Sequence, residues 1–361
     1  MKNTFGSSVT ITIFGESHGA EIGAVLDGLA PGIKIDTAYI DKELEFRRPY
    51  GRISTQRREK DNYRIVSGIF EGYTTGTPIA IIIPNENTRS KDYKAISDIP
   101  RPSHADFAAE QKYHGFQDYR GGGHFSGRIT AALVAAGAIV KSALQNKGIF
   151  IGTHIASLHG ICDKKLETID EAKALSEKLF PTLSEDSEKK MKAEITRAAE
   201  MGDSVGGILE TAIYGVPSGV GEPFFDSMES VLSHILFSVP AVKGVEFGEG
   251  FGFADLYGSE ANDPFIIENG EVKTKTNRSG GINGGITNGM PITFRCAVKP
   301  TSSIYKQQDS VSLSRMEETK LSIEGRHDPA IIHRVRAVVD AAAALAIADM
   351  LTVRFGTDYL R

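Results

Sequence analysis

The sequence of 361 residues holds only two cysteines, Cys162 and Cys296, and two cysteines cannot form a disulfide framework. Neither lies in the close cysteine and histidine spacing of a metal site, so we expect two reduced, buried thiols in a cytoplasmic protein. Long apolar runs are also missing. The longest, residues 129–140, is shorter than the about 20 residues that span a bilayer, and the first 15 residues do not resemble a signal peptide.

The chain has no excess of positive charge, because 41 lysines and arginines stand against 46 acidic residues for a net charge of −5. Nucleic-acid binding would therefore need a local basic patch. A phosphate-binding P-loop, a nucleophile elbow, an HExxH zinc pattern and a dinucleotide-binding glycine fingerprint are all absent from the sequence. What remains is the composition of a soluble globular protein, 40% hydrophobic and 24% charged.

Residues 101–128 concentrate side chains that can do chemistry. Apolar residues recur at the helical period over residues 129–144, which predicts a buried helix directly after this segment. Glycines let backbone N–H groups face an anion, the helix start adds partial positive charge, and arginine adds a forked donor. We therefore favour an anion-binding site over a plain flexible loop. The segment contains His104, His114, His124, Arg101, Arg120, Arg128 and the run Gly121, Gly122, Gly123.

Two segments nearer the N-terminus carry the same residue types. His18 lies in a Gly-Glu-Ser-His-Gly turn directly after a predicted strand, where a surface role and a site role are equally compatible with the pattern. Residues 47–58 carry five arginines, Arg47, Arg48, Arg52, Arg57 and Arg58. They could form a solvated charged loop, a nucleic-acid contact, or a mobile loop that closes over a multiply anionic small molecule. We favour the last interpretation.

Two segments nearer the C-terminus complete the candidate site. Asp328 precedes Pro329 and an Ala-rich helical pattern, so it is predicted to cap that helix. Residues 299–303 read Lys-Pro-Thr-Ser-Ser, whose hydroxyls could surround a phosphate or form an ordinary turn. Because residues 101–128 and 325–329 both bring arginine and histidine to the start of a buried helix, we expect both to face one pocket.

The remaining patterns predict alternating strands and helices. Strands are expected at 8–14, 22–26, 149–161, 205–216 and 292–298, with a hairpin formed by 65–73 and 77–83. Helices are expected at 37–46 and 227–237, and residues 168–201 are interpreted as a charged helical excursion on the surface. Residues 241–253 and 277–289 are interpreted as glycine-rich loops.

Five of these segments together resemble the signatures of the chorismate synthase family: GESHG at 15–19, RPSHAD at 101–106, DYRGGG at 118–123, KPTSS at 299–303 and GRHDP at 325–329. The departures from the family pattern are Ser103, residues 124–128 and Pro240. The resemblance implies an α/β (α+β) fold, with two antiparallel sheets sandwiched between helices in one domain over 1–361. It also implies a cytoplasmic homotetramer.

The resemblance further implies a lyase that converts 5-enolpyruvylshikimate 3-phosphate into chorismate by 1,4-anti elimination of phosphate. The cofactor would be reduced FMN, with NADPH as a possible reductant and no metal. His18 would act as an acid near the phosphate, His104 would protonate the flavin, and Asp328 would assist at flavin N5. The implied substrate ligands are Arg47, Arg52, Arg101, Arg128 and Arg326. The implied FMN contacts are His124, Phe125, Ser126, Ala241, Gly284, Lys299, Pro300, Thr301, Ser302, Ser303 and Arg326.

Two other functions remain open from the residues alone. The arginines of 47–58 could bind nucleic acid, which predicts steeply salt-dependent binding. His18, His104 and Asp328 could instead serve a metal-dependent phosphohydrolase, which predicts loss of activity with chelators. We expect no nucleic acid and no membrane among the partners.

Overall fold

A computed structural model describes residues 2–51, 53–54, 60–86, 98–323 and 327–361. The N-terminal third of the chain builds an antiparallel sheet in the order β1-β2-β3-β7-β4. Its strands alternate between buried and less buried positions, as in β7, where Ile79, Ile81 and Ile83 face the core. The strands of this region are β1 (Thr4–Phe5), β2 (Thr10–Gly15), β3 (Glu21–Asp27), β4 (Arg64–Ser67), β5 (Ile69–Phe70), β6 (Tyr73–Thr74) and β7 (Ile79–Pro84).

The predicted hairpin over 65–83 is only partly correct. β4 does pair with β7, but β5 and β6 leave the sheet and pair with each other in a small hairpin. A bulge between Ile65 and Ser67 interrupts the ladder, and Gly68 follows it with a positive φ of 84°. The chain therefore turns away from the sheet at this point, because a bulge and a left-handed glycine bend a strand.

A second antiparallel sheet has the order β11-β16-β10-β8-β9. Its strands are β8 (Phe150–Leu158), β9 (Ile161–Cys162), β10 (Gly207–Tyr214), β11 (Val242–Phe247) and β16 (Ile292–Val298). The interpretation of 241–253 as a loop was wrong, since β11 pairs with β16 and places Val245 opposite Cys296. Glycine content suggested a loop there, but pairing with an apolar neighbouring strand outweighs local propensity.

Three further small hairpins lie outside the two large sheets in the described part of the chain, and one of them falls within residues 277–289, which were interpreted as a glycine-rich loop. They are β12 (Phe265–Glu268) with β13 (Glu271–Thr274), β14 (Ile282–Asn283) with β15 (Ile286–Thr287), and β17 (Gln308–Ser312) with β18 (Glu317–Leu321). The helices are α1 (Thr37–Arg47), α2 (Asp106–Tyr113), α3 (Thr130–Asn146), α4 (Ile169–Leu175), α5 (Glu185–Glu200), α6 (Met228–Leu236), α7 (Gly258–Ala261) and α8 (Ile332–Phe355).

Helices α3 and α8 lie between the two sheets and give the β-α-β order of layers. α3 packs on β3 and β7 of the first sheet, and α8 packs on β8 and β10 of the second. The two helices meet closely, because a side chain at Gly137 would overlap Ala341 of α8. Small residues thus let the helix backbones approach. Two antiparallel sheets packed on these helices confirm the predicted mixed α/β class.

Helix Gly127–Asn146 is long and apolar enough to cross a membrane by length and composition, but 83% of its most apolar window is buried inside the protein. That burial is typical of a core helix. Lys141 is a buried cation within α3, and its Nζ lies 2.8 Å from Asp340 and 3.1 Å from Glu43. These carboxylates come from α8 and α1, so the ion pairs of Lys141 connect the three helices in the buried core.

Two smaller expectations also need correction. Cys296 is buried in β16, and burial raises the pKa of its thiol to about 12, but Cys162 is exposed on the edge strand β9. Asp328 does not cap α8. The helix begins at Ile332 and Ile331 occupies the capping position without a side-chain hydrogen bond. Asp328 lies too far before the first turn, and its carboxylate is engaged by an arginine instead.

Candidate active site

A cavity of about 880 Å³ opens where the central helices begin. Its wall is built from the end of α1, the glycine run before α3, the start of α8, and the turn after β16. The sequence reasoning thus correctly expected distant segments to face one pocket. The predicted site residues on the wall are Arg47, His104, His124, Phe125, Ser126, Arg128, Ala241, Lys299, Pro300, Thr301, Ser302 and Asp328.

One end of the cavity is cationic and centres on a carboxylate that sequence reasoning missed. Asp61 is buried, forms an ion pair with Arg128, and lies 3.9 Å from Arg47 Nη2 and 3.7 Å from Arg48 Nε. Burial alone would raise the pKa of Asp61, but the three arginines outweigh it and hold that pKa below its usual value. Three guanidinium groups therefore surround one buried carboxylate here.

Arg128 is fixed by several further contacts. Its Nε donates to Asn85 Oδ1 at 3.0 Å, and its Nη2 donates to the Pro84 carbonyl at 3.0 Å. The Asn85 side chain in turn donates to the Glu16 and Gly19 carbonyls, each at 2.9 Å. The histidine turn at 15–19 is therefore tied to the start of α3 through one amide that no motif had indicated.

The glycine run makes room for two histidines. Gly121 and Gly122 adopt left-handed backbone with φ of 58° and 85°, a conformation that favours glycine. A side chain at Gly121 would overlap the ring of His18, and one at Gly122 would lie 3.2 Å from Cε1 of His104. The sequence suggested that these glycines expose backbone N–H groups to an anion, but their visible role is to let both imidazoles pack on the chain.

His18 sits beside the cavity without lining it. Its Nδ1 lies 3.1 Å from the Ser17 hydroxyl, which also donates to the Arg120 carbonyl at 3.1 Å. The Ser17 backbone N–H donates to the Gly123 carbonyl at 3.1 Å. These bonds dock the histidine turn on the glycine run.

His104 lines the cavity, and its Nδ1 is bound by a carboxylate of the same segment. Its Nδ1 lies 2.6 Å from Asp106 Oδ1, and Arg101 grips the same carboxylate through Nε at 2.7 Å and Nη2 at 2.8 Å. Burial would raise the pKa of Asp106, but hydrogen bonds from Arg101 and His104 hold it well below its usual range. Arg101, expected to bind substrate, does not lie on the cavity wall.

Asp328 faces the cavity from the segment before α8. Its Oδ2 accepts from Arg334 Nη1 at 2.7 Å, and Arg334 Nε donates to the Arg47 carbonyl at 2.8 Å. Arg334 therefore connects the carboxylate to the cationic end of the cavity. It lies on the cavity wall as well, although no motif had singled it out.

The turn after β16 forms another part of the cavity wall. Lys299 Nζ donates to the Ser302 hydroxyl at 2.9 Å and to the Ser103 carbonyl. Burial lowers the pKa of Lys299, and the neighbouring charge of Lys243 lowers it further. The Thr301 hydroxyl is buried and has no hydrogen-bond partner in the described part of the chain. An unpartnered hydroxyl and two crowded cations on a cavity wall indicate a place for a polar, anionic ligand.

Ala241 also lines the cavity, and its backbone has an unusual conformation. Its φ is +74°, which is rare for a residue with a side chain. Nearby, His124 Nδ1 lies 2.8 Å from the Gly15 carbonyl, Phe125 meets Tyr113 edge to face, and the Ser126 hydroxyl accepts from the Arg128 backbone N–H at 3.3 Å. Residues 124–126 thus face the cavity while bonding to its walls.

Some predicted site residues are not brought to the cavity. Gly284 lies in the turn between β14 and β15, and neither it nor Ser303 is on the wall. Arg52 and Arg326 lie outside the described residues, as do Arg57 and Arg58 of the arginine-rich loop. The residues that sequence reasoning missed are Asp61, Asn85, Asp106 and Arg334. Asp106 stood within the RPSHAD motif, so its spacing to His104 was a usable signal, whereas the other three had none.

The fold and the cavity define a mixed α/β enzyme whose site gathers arginines, histidines and a carboxylate from distant segments. Comparison with known proteins then gives the family. The family model for chorismate synthase matches residues 9–352. A chorismate synthase of Pyrococcus abyssi is 47% identical over 97% of both chains, and one of Chitinophaga pinensis is 45% identical over 97% of this chain and 96% of the relative. The chain therefore belongs to the chorismate synthase family.

A solved structure supports the same assignment. A crystal structure of a chorismate synthase superposes with a TM-score of 0.77 at 27% sequence identity, covering 98% of this chain and 94% of the other. The family that five short motifs predicted is therefore confirmed.

Proposed function

We propose that this chain catalyses the last step of the shikimate pathway, in which 5-enolpyruvylshikimate 3-phosphate loses phosphate and a proton to give chorismate. The single observation that carries the proposal furthest is the cavity itself. Its wall brings together the arginine cluster, His104, Asp328 and the turn from Lys299 to Ser302. Family membership adds the substrate class.

The cationic end suits the substrate's anionic groups. Arg47 and Arg128 lie on the cavity wall, beside the buried Asp61 carboxylate. Expulsion of phosphate requires stabilisation of charge that develops on the leaving oxygens, and preorganised guanidinium groups provide it at little reorganisation cost. Arg101 does not line the cavity, and it donates to Asp106 through Nε and Nη2.

The residues around the turn after β16 fit a bound FMN. The cavity volume of about 880 Å³ lies near the top of the roughly 300–1,000 Å³ usual for small-molecule sites. The Thr301 hydroxyl, which has no partner among the described residues, would hold it together with Lys299 and the left-handed Ala241, and His124, Phe125 and Ser126 also line the cavity. Reduced FMN, when bound, would lend electron density to the substrate and take up the proton that it loses.

The chain's own acid and base groups are placed around this space. Asp328 is oriented by Arg334, and His104 is oriented by Asp106. Asp328 accepts a hydrogen bond or a proton at its carboxylate, and His104 exchanges a proton at its ring edge beside Gly122. His18 does not line the cavity but packs against Gly121, which does, and in this proposal it acts as an acid toward the leaving phosphate. NADPH or an external reductase would supply the reducing equivalents.

Anaerobic turnover tests this function. We expect phosphate release and chorismate formation from the enolpyruvyl substrate only when reduced FMN is present. Asp328→Asn should remain folded and lose about a hundred-fold or more of kcat, as is usual for a proton-transfer group. Asp309→Asn, which changes an exposed carboxylate of β17, is the matched control and should keep full activity. Turnover without flavin, or a fully active Asp328→Asn protein, would refute the assignment.

Neither alternative gains support. In the described residues, no three or more histidine, cysteine, aspartate or glutamate side chains are grouped to hold a metal ion. The described arginines that the nucleic-acid interpretation relied on, Arg47 and Arg48, are occupied by Asp61.

A further inference from the structure

We propose that Asp106 and Arg101 are positioning residues that fix the tautomer of His104, so that the neutral imidazole carries its hydrogen on Nδ1 and presents an unprotonated Nε2 to the cavity. The inference deepens the proposed function and rests on it for its catalytic meaning, but the tautomer itself is a property of the folded chain alone.

The geometry around Nδ1 decides between the two tautomers. Nδ1 lies 2.6 Å from Asp106 Oδ1 and 3.0 Å from Arg101 Nη2. A carboxylate can only accept and a guanidinium can only donate. With a hydrogen on Nδ1, the ring donates to the carboxylate in a short charge-assisted bond. Without it, a lone pair would face a carboxylate oxygen at 2.6 Å, which is strongly repulsive.

Arg101 does not need Nδ1 as an acceptor. Its Nε donates to Asp106 Oδ2 at 2.7 Å and its Nη2 donates to Oδ1 at 2.8 Å, a bidentate arrangement. The Arg101 backbone N–H donates to Oδ2 as well, at 3.0 Å. The carboxylate is therefore fixed by three donors besides the histidine, and it cannot rotate away from Nδ1 without losing them.

The remaining ring edge faces the reaction space. Nε2 and Cε1 lie against Gly122, where a Cβ would sit 3.4 Å and 3.2 Å from them, and His104 lines the cavity. Neutral His104 thus accepts at Nε2, and it donates there only after it has taken a proton from solution or substrate. A carboxylate that orients a catalytic imidazole in this way acts through it, without touching substrate.

Nitrogen-15 spectra of histidine-labelled protein without any ligand test the proposal. We expect the neutral His104 ring to show a protonated Nδ1 and an unprotonated Nε2. Asp106→Asn should remove this preference. Asp118→Asn is the matched control, because Asp118 binds Arg120 through the same two-bond geometry, at 2.8 Å and 2.8 Å, without touching His104. It should leave the His104 signals unchanged.

Turnover then separates positioning from substrate binding. Asp106→Asn and Arg101→Met should lower kcat by about a hundred-fold or more with little change in KM for the substrate. A hydrogen on Nε2 in the unaltered protein, or an unchanged tautomer in Asp106→Asn, would overturn the proposal. A rise in KM alone for Arg101→Met would also overturn it, because a substrate ligand behaves that way. If the tautomer is as expected but no turnover occurs, the proposed function fails and the positioning role stands.

Discussion

Removal of the negative charge at Asp61 should destabilise the protein in a way that an added anion reverses. Asp61→Asn keeps the shape of the side chain and one acceptor oxygen, but it leaves Arg47, Arg48 and Arg128 without their shared carboxylate. The site is almost closed to water, since the Asp61 side chain is 2% exposed and those of Arg47 and Arg128 are 7% and 6% exposed. Solvent screening of the charges on Arg47 and Arg128 is therefore weak, whereas Arg48 is 33% exposed.

The magnitude follows from that burial. Removal of one partner of a buried ion pair typically costs about 3–5 kcal/mol. Because asparagine retains a hydrogen-bond acceptor, we expect the lower end, about 3 kcal/mol, in the free energy of unfolding at low ionic strength. Phosphate should recover most of it, since a ligand at a hundred times its Kd stabilises the folded state by about 2.7 kcal/mol.

Urea unfolding at pH 7 with and without phosphate is the assay, and sodium chloride at equal ionic strength controls for screening. Glu21→Gln, which removes an exposed pair with Arg64, should change stability by less than about 1 kcal/mol and show no phosphate effect. Phosphate should stabilise Asp61→Asn more than the unaltered protein. Equal stability of the two proteins at low salt, or an equal gain from phosphate, would refute the reasoning.

Three further perturbations follow from other described contacts. Gly121→Ala should abolish turnover by overlapping the ring of His18, whereas Gly148→Ala, also left-handed but with open space around it, should lose only about 1–2 kcal/mol and stay active; equal turnover in the two variants would contradict this. Burial lowers the pKa of His333 to about 3, so the unfolded chain binds the extra proton and stability should fall from pH 6.5 to 3 by up to about 1.4 kcal/mol per pH unit; His333→Gln should flatten that part of the curve, and an unaltered slope would argue against it. A thiol reagent should modify only the exposed Cys162 in the native protein and both cysteines after unfolding; two reactive thiols in the native state would contradict the burial of Cys296.

Local patterns in the sequence carried much of the fold. Strand β16 was expected at its observed bounds, and α1 and α6 were each placed to within a residue at either end. Periodicity works at these positions because one face of each element is buried and the other is not. The segment 241–253 escaped this logic. Its glycines argue for a loop, and only the neighbouring β16, fifty residues later, makes part of it a strand.

The sequence alone also determined which family this chain belongs to and which segments supply the site, because His104, Asp328 and the Lys299 to Ser302 turn lie in short motifs. Tertiary structure decided what each side chain does there. Arg101 and Arg128 are identical in type, but Arg101 turns to Asp106 while Arg128 faces the cavity. Asp328 reads locally as a helix cap and is instead bound by Arg334. The partners of Arg101 and Asp328 lie only five and six residues away in the chain, but local patterns do not say which of several possible contacts a side chain makes. Arg128 is placed by Asp61 and Asn85, which lie 67 and 43 residues away in the chain, and such long-range pairings leave no trace in local spacing.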